Sequence, residues 1–200
     1  MRAREAGGIL ALALIAFVAD CGDENPFRSI EPEVETGASQ VWELGLEGFP
    51  SGFDIPSGER FFVGPTTTTS TFGTFVLDAR PDGTLVFRPY STLVSVLSAV
   101  RTGIQDLGTR PFSAITEAPE GGYSSPNDSL GVPVVAGHTY AFRISVANQT
   151  VIPINYAKLH VLEAGQQVPG NERSRFIRFE WAYQEQPLNR NVTVEEEGGP

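Results

Sequence analysis

The segment NYAKLHVLEAG, residues 155–165, contains the chain's only lysine, Lys158, and one of its two histidines, His160. Histidine binds metal ions and exchanges protons near neutral pH. His160 is therefore either a ligand placed to bind something or a polar residue on the solvated face of a strand. The second histidine, His138, precedes another predicted strand. Whether the two histidines can bind one ligand together depends on which face of the sheet each strand directs its histidine toward.

No catalytic motif accompanies these residues. The sequence contains no G-x-S-x-G elbow, no phosphate-binding loop, no S-x-x-K pattern and no His/Cys spacing typical of a metal site. Glu117 and Glu120, in the loop TEAPEGGY, are expected to be solvated rather than paired for glycoside hydrolysis. The formal net charge of -10, without a Lys/Arg cluster, argues against nucleic-acid binding. We predict a protein that is not an enzyme and has no catalytic residues.

The N-terminus has the pattern of an export signal. A short basic region precedes the apolar stretch GILALALIAFVA, which is too short to remain a transmembrane span. The following VADC places Cys21 where a bacterial lipoprotein carries its lipidated cysteine, although Asp20 stands where a small residue is usual. We predict a membrane anchor through a lipid on Cys21, at the outer membrane or cell surface. Ordinary signal-peptide cleavage, or a buried or unpaired thiol, is the alternative.

The rest of the chain is predicted to form one all-β domain. Fifteen prolines and 21 glycines, with many threonines, valines and phenylalanines, favour short strands and turns. The predicted organisation is a lipoprotein-type signal peptide at 1–20, an acidic tether at 21–39, a single β domain at 40–188 and an acidic tail at 189–200. We expect an antiparallel sheet or sandwich, with one packed amphipathic helix at about 91–107, where apolar residues recur at three- and four-residue steps.

Alternation of apolar and polar residues predicts the strands. They are expected at 41–47, 53–55, 60–63, 74–78, 84–88, 112–116, 139–146, 155–162 and 175–183. The turn sequence ARPDG joins 74–78 to 84–88 as a hairpin. Two later strands bracket the loop 164–174, so they are expected to pair antiparallel and to place Lys158 opposite Glu180 on an exposed face.

The same alternation predicts where the histidines point. In the last three strands the apolar faces are Tyr140, Phe142, Ile144 and Val146, then Ala157, Leu159 and Val161, then Ile177, Phe179, Trp181 and Tyr183. His138 shares the parity of the core-facing residues of its strand, whereas His160 shares the parity of Lys158. In a regular hairpin the two imidazoles therefore lie on opposite sides of the sheet. A bulge near Pro153, or strands that are not neighbours, would change this arrangement.

Several motifs resemble one known family. They are VWELGLEGFPSGFDIPSGERFF near the start of the domain, TEAPEGGY in its middle, and NYAKLHVLEAG followed by RFIRFEWAYQ near its end. Together with the N-terminal cysteine motif, they resemble the HmuY-like family of bacterial lipoproteins. The resemblance spans most of the chain from Trp42 to Gln184. It implies an all-β, surface or periplasm-facing lipoprotein whose relatives hold haem iron between two axial side chains.

The resemblance makes haem the leading ligand. Haem iron is held in proteins by histidine, methionine, cysteine or tyrosine. The candidate ligand-binding residues are therefore His138, His160, Tyr123 and Tyr156, with the iron bound through His138 or His160. We predict a lipoprotein that binds haem or a similar hydrophobic ligand. The alternative is a surface lipoprotein that contacts another envelope or surface protein, as an interaction or structural module without a small ligand.

Overall fold

The computed structural model describes residues 34–64, 72–94, 99–146, 153–167 and 174–194. The predicted signal peptide and Cys21 lie outside these residues, which belong to a unit spanning residues 32–200. Within them no helix is long and apolar enough to cross a membrane. The strands are β1 (Val34–Trp42), β2 (Gly52–Asp54), β3 (Glu59–Phe61), β4 (Phe75–Ala79), β5 (Leu85–Pro89), β6 (Val100–Asp106), β7 (Val132–Pro133), β8 (Thr139–Val146), β9 (Ile154–Gln166) and β10 (Arg175–Gln184).

The fold is an antiparallel β-sandwich of two five-stranded sheets. The first sheet has the strand order β1-β10-β9-β8-β6 and the second β3-β2-β4-β5-β7. Aromatic rings from both sheets fill the space between them. Phe75 of the second sheet lies 5.6 Å from Phe142 and 6.0 Å from Phe179 of the first, between ring centroids. Burial of these rings accounts for much of the stability, because each removes a large apolar surface from water.

The strands of the last third confirm the predicted faces. Tyr140, Phe142 and Leu159 are fully buried in the sandwich core, and Phe179 joins them from β10. The predicted hairpin is also present as β4 and β5, and Gly83 adopts a φ of +85° in its turn. Alternation succeeds here because one face of each strand packs on the opposite sheet.

The predicted helix at 91–107 is wrong. A single 3-10 turn spans Tyr90–Thr92, and Val100–Asp106 is strand β6, paired with β8 along its length. Residues 95–98 of the predicted helix lie outside the described part of the chain. The segment contains several β-branched residues and Gly103, which favour a strand when a neighbouring strand edge is available to pair with. Non-local pairing therefore overrides the helical spacing of its apolar residues.

The predicted domain limits also change. The first strand begins at Val34, inside the predicted tether, and ends at Trp42 rather than continuing to Glu47. It ends there because the chain crosses between sheets: the Glu43 amide donates to the carbonyl of Arg175, and the Leu44 amide to that of Leu77. At the other end, part of the predicted tail packs against the domain, as described below.

Candidate functional site

Two segments cover part of the outer face of the first sheet, the face turned away from the second sheet. They are residues 107–118 and 188–193, which we call the clasp. The predicted strand at 112–116 is wrong, since Phe112–Ala114 forms a 3-10 turn there. The two clasp segments bond to each other: the Ala118 amide donates to the Arg190 carbonyl at 2.9 Å, and the Val192 amide to the Thr116 carbonyl at 3.0 Å. The predicted tail is thus structured as far as the described residues extend, to position 194.

A second, smaller core lies beneath the clasp. Ile115, Ala118, Tyr156 and Val192 are buried in it, and Tyr123 packs against them. The outer face of the first sheet is therefore only partly solvated. Strand β9 is therefore covered on both sides: the sandwich core packs on one side and the second core packs on the other, although that outer side also carries polar residues.

Lys158 lies under the clasp and is fully buried. Its ammonium donates hydrogen bonds to the carbonyl oxygens of Phe112 at 2.9 Å and Ile115 at 2.8 Å, and it sits 4.2 Å from the centroid of the Phe112 ring. The predicted pairing with Glu180 is wrong, because Lys158 lies opposite Ala182 and Glu180 lies opposite His160. A shift of two residues keeps every side chain on its face, so alternation does not distinguish the two registers.

The titration of Lys158 yields a pH prediction. Burial lowers the pKa of this ammonium to about 8, despite the opposing effect of Glu180, whereas an unfolded chain keeps an ordinary lysine value of about 10.4. Between these values the unfolded chain binds more protons, so the free energy of unfolding should rise by about 2 kcal/mol from pH 8 to pH 10. Urea denaturation of the wild type and Lys158→Met should show this rise in the wild type alone. Parallel pH curves for the two proteins would contradict it.

The two histidines are not brought together. Nδ1 of His138 lies 3.0 Å from both carboxylate oxygens of Asp106, and its ring lies 6.4 Å from that of core-facing Tyr140. His160 is on the outer side of β9, where its Nδ1 lies 2.9 Å from the Thr139 hydroxyl. The imidazoles thus point to opposite faces of the sheet, as alternation predicts. Among the described residues, no group of three or more His, Cys, Asp or Glu side chains is placed to hold a metal ion.

The tautomer of His160 follows from its neighbours. The Thr139 hydroxyl donates its only proton to the carbonyl of Arg110 at 2.6 Å, so it accepts a hydrogen bond from Nδ1–H of His160. Nε2 is then the nitrogen left to bind a metal ion or an iron. An iron bound at Nε2 of His160 could not also be bound by His138, because His138 is on the other face of the sheet.

The two candidate tyrosines do meet, but as packing residues. Tyr156 and Tyr123 belong to the second core, and the Tyr123 hydroxyl donates to the carbonyl of Pro119 at 2.9 Å. Burial raises the pKa of Tyr123 well above its usual range. The tyrosinate form that binds iron is therefore disfavoured at neutral pH. The four candidate residues consequently do not fit a haem held between two axial side chains.

An open groove of about 550 Å³ lies beside the clasp on the same outer face. We call it the arginine groove. It is lined by Arg101, Gly103, residues 121–126, Arg143, Ser145 and Ile154. These lining residues include two guanidinium groups and no carboxylate, in a chain whose formal net charge is -10. The charged side chains that line the groove are therefore both basic, on a protein that is acidic as a whole.

Strand pairing places the two arginines close together. In the β6–β8 pair, Arg101 lies opposite Ser145 and Gly103 lies opposite Arg143. The arginines are thus diagonal neighbours on one face, a position in which Cα atoms are roughly 7–8 Å apart. Arginine side chains are long enough for both guanidinium groups to reach one bound group above this diagonal.

The wall of the groove depends on a close approach at Gly103. The amide of Ser124 donates to the carbonyl of Ile104 at 2.9 Å, which fixes the loop along the free edge of β6. A Cβ atom at Gly103 would lie 3.0 Å from both the Ser124 carbonyl oxygen and the Tyr123 Cβ. A larger residue would therefore push the loop away and reshape the groove.

Sequence reasoning missed this site. Alternation in β8 does direct Arg143 and Ser145 away from the core, but a lone exposed arginine gives no sign of a partner. The signal needed was the strand at Val100–Asp106, which puts Arg101 on the same face. If that segment is interpreted as a helix, the sequence does not predict that Arg101 and Arg143 lie close together.

Comparison with protein-family models, curated protein sequences and solved structures gave no match. The class of the protein is accordingly defined by the fold alone. It is an all-β protein, an antiparallel two-sheet sandwich.

Proposed function

We propose that this chain is an extracytoplasmic, membrane-tethered binding protein that captures a ligand in the arginine groove and catalyses no reaction. The export pattern and the lipoprotein-type cysteine motif at Cys21 support the tether. The observation that carries the binding role is the groove itself. It combines an open recess with two charged side chains on neighbouring strands, and a recess lined by a few polar groups is typical of ligand sites.

The haem hypothesis receives less support from the geometry. A haem held by two histidines needs both imidazoles on one side of the sheet, and here they lie on opposite sides. Haem bound through His160 alone would lie against the clasp, outside the arginine groove. We therefore favour the groove, and the haem and protein-partner alternatives become outcomes of the experiment.

Residues 22–200, which leave out the signal region and Cys21, are suited to the test because residues 32–200 form their own unit. Amide NMR shifts would be mapped during separate titrations with maltotriose and trigalacturonate, and haemin would be followed by its Soret band. We expect at least one sugar to shift the amides of Gly103, Gly122 and Ser124. We expect no Soret change that depends on His138 or His160, using the alanine variants as controls.

Two results would overturn the proposal. One is the absence of shifts at the groove with either sugar. The other is a saturable Soret shift lost in His138→Ala or His160→Ala, which would restore the haem hypothesis. Shifts confined to the depression formed by residues 116–117, 188–191 and 193 would also contradict it, since that surface belongs to the clasp.

A further inference from the structure

We infer that the ligand of the arginine groove is an acidic sugar whose oxyanion, a carboxylate or a phosphate, lies between Arg101 and Arg143. This inference rests on the proposed function, which makes the groove the ligand site. It adds the chemical class of the ligand. Three independent features of the groove lead to it.

The first feature is the pair of guanidinium groups. Arginine binds carboxylates and phosphates through two parallel N–H donors, and a diagonal pair supplies such donors from two sides. Arg143 is exposed, and no ion pair holds it within the described residues. The carboxylate nearest in sequence to the groove loop, that of Glu120, lies 3.3 Å from Arg190 instead. Arg101 also donates a hydrogen bond to the Val100 carbonyl at 3.2 Å, and an oxyanion between two guanidinium groups would lower the repulsion between their like charges.

The second feature is the hydroxyl groups of the loop. The Ser124 hydroxyl oxygen accepts the Ile104 amide at 3.1 Å, and the Ser125 hydroxyl oxygen accepts the Asn127 amide at 3.3 Å. Because a hydroxyl has one proton, and these bonds use only its oxygen, each serine retains a proton to donate. The serines therefore add hydrogen-bond donors to those of the arginines, which matches a ligand rich in acceptor oxygens.

The third feature is the aromatic ring of Tyr123. Its hydroxyl is held by Pro119 at 2.9 Å, so the ring has a fixed position in the wall. A fixed aromatic surface beside polar groups can pack against the C–H face of a sugar ring while the polar groups bind its substituents. A simple anion such as inorganic phosphate would use the arginines and the serine hydroxyls but not the aromatic ring. A sugar that carries an oxyanion uses all three features.

Isothermal titration calorimetry on residues 22–200 tests the inference with matched ligands. Trigalacturonate carries the carboxylates, its fully methyl-esterified form has the same rings without charge, and inorganic phosphate supplies an oxyanion without a sugar. Arg143→Gln removes one guanidinium from the groove. Arg178→Gln is the matched control, since it changes the net charge equally at an exposed arginine paired with Glu163 outside the groove.

We expect trigalacturonate to bind at least tenfold more tightly than its methyl ester, and Arg143→Gln to weaken it about tenfold or more, as a charge-assisted bond would predict. Arg143→Lys should recover only part of this loss, because an ammonium cannot form the paired bonds. Arg178→Gln should bind like the wild type. Phosphate should compete, but more weakly than trigalacturonate.

The calorimetric titrations distinguish the alternative kinds of ligand. Equal binding of the acid and its ester would overturn the oxyanion inference while leaving the groove as a ligand site. Phosphate binding as tight as that of trigalacturonate would overturn the sugar part and identify a simple phosphate site. No binding by any of these ligands, with native amide spectra for both variants, would overturn the whole inference.

Discussion

Lys158→Ala is expected to lower the free energy of unfolding by about 3–5 kcal/mol, the loss expected from two buried acceptors without a donor together with a cavity. The substitution leaves the carbonyl oxygens of Phe112 and Ile115 without their donor and opens a cavity under the clasp. Each buried acceptor without a partner costs about 1–3 kcal/mol. Chemical denaturation of the wild type and the variant measures the difference.

Lys158→Met separates the two contributions, because methionine fills most of the space but cannot donate a hydrogen bond. It should destabilise by about 2 kcal/mol, less than alanine. Hydrogen exchange should accelerate first at the amides of Ala118 and Val192, which join the two segments of the clasp. If Lys158→Met proved as stable as the wild type, the ammonium hydrogen bonds would contribute no net stability.

Phe75→Ala is the substitution expected to damage the sandwich core most, by about 3–5 kcal/mol. Phe75 is fully buried, and its ring contacts those of Phe53 and Phe87 in its own sheet and Phe142 and Phe179 in the other. Truncation removes its transfer free energy and leaves a cavity that rigid neighbouring strands cannot close. Thermal or urea unfolding followed by near-ultraviolet circular dichroism would report the loss.

Phe62→Ala is the control, since Phe62 is 55% exposed and its truncation should change stability by less than about 1 kcal/mol. An effect of Phe75→Ala no larger than that of Phe62→Ala would contradict the aromatic core described above. The groove should be retained in any folded fraction of Phe75→Ala, because the affected rings lie on the opposite side of the first sheet.

Some features were predictable because they depend on one covered face. In β8, β9 and β10 the residues predicted to face the core do face it, because the apolar side of each strand packs on the second sheet. The same rule sends His138 and His160 to opposite sides. The hairpin of β4 and β5 is similarly local, because its turn residues set both its position and its pairing.

Other features depended on contacts between distant parts of the chain. The apolar residues at 91–107 recur at helical spacing, but pairing with β8 makes Val100–Asp106 a strand. The bulge at Arg178 and Phe179 sets the final register of β9 against β10, which alternation alone leaves open.

The amino-acid sequence by itself determined that the protein is all-β, which side of the late strands faces the core, and that the two histidines cannot face each other across a regular hairpin. Only the tertiary structure decided that the polar side of β9 is covered, that Lys158 is buried there, and that Arg101 and Arg143 share a groove. The physical reason is that periodicity records the side of a strand that avoids water. It does not record which distant segment packs on the other side, because that is set by hydrogen bonds and charges between residues far apart in the chain.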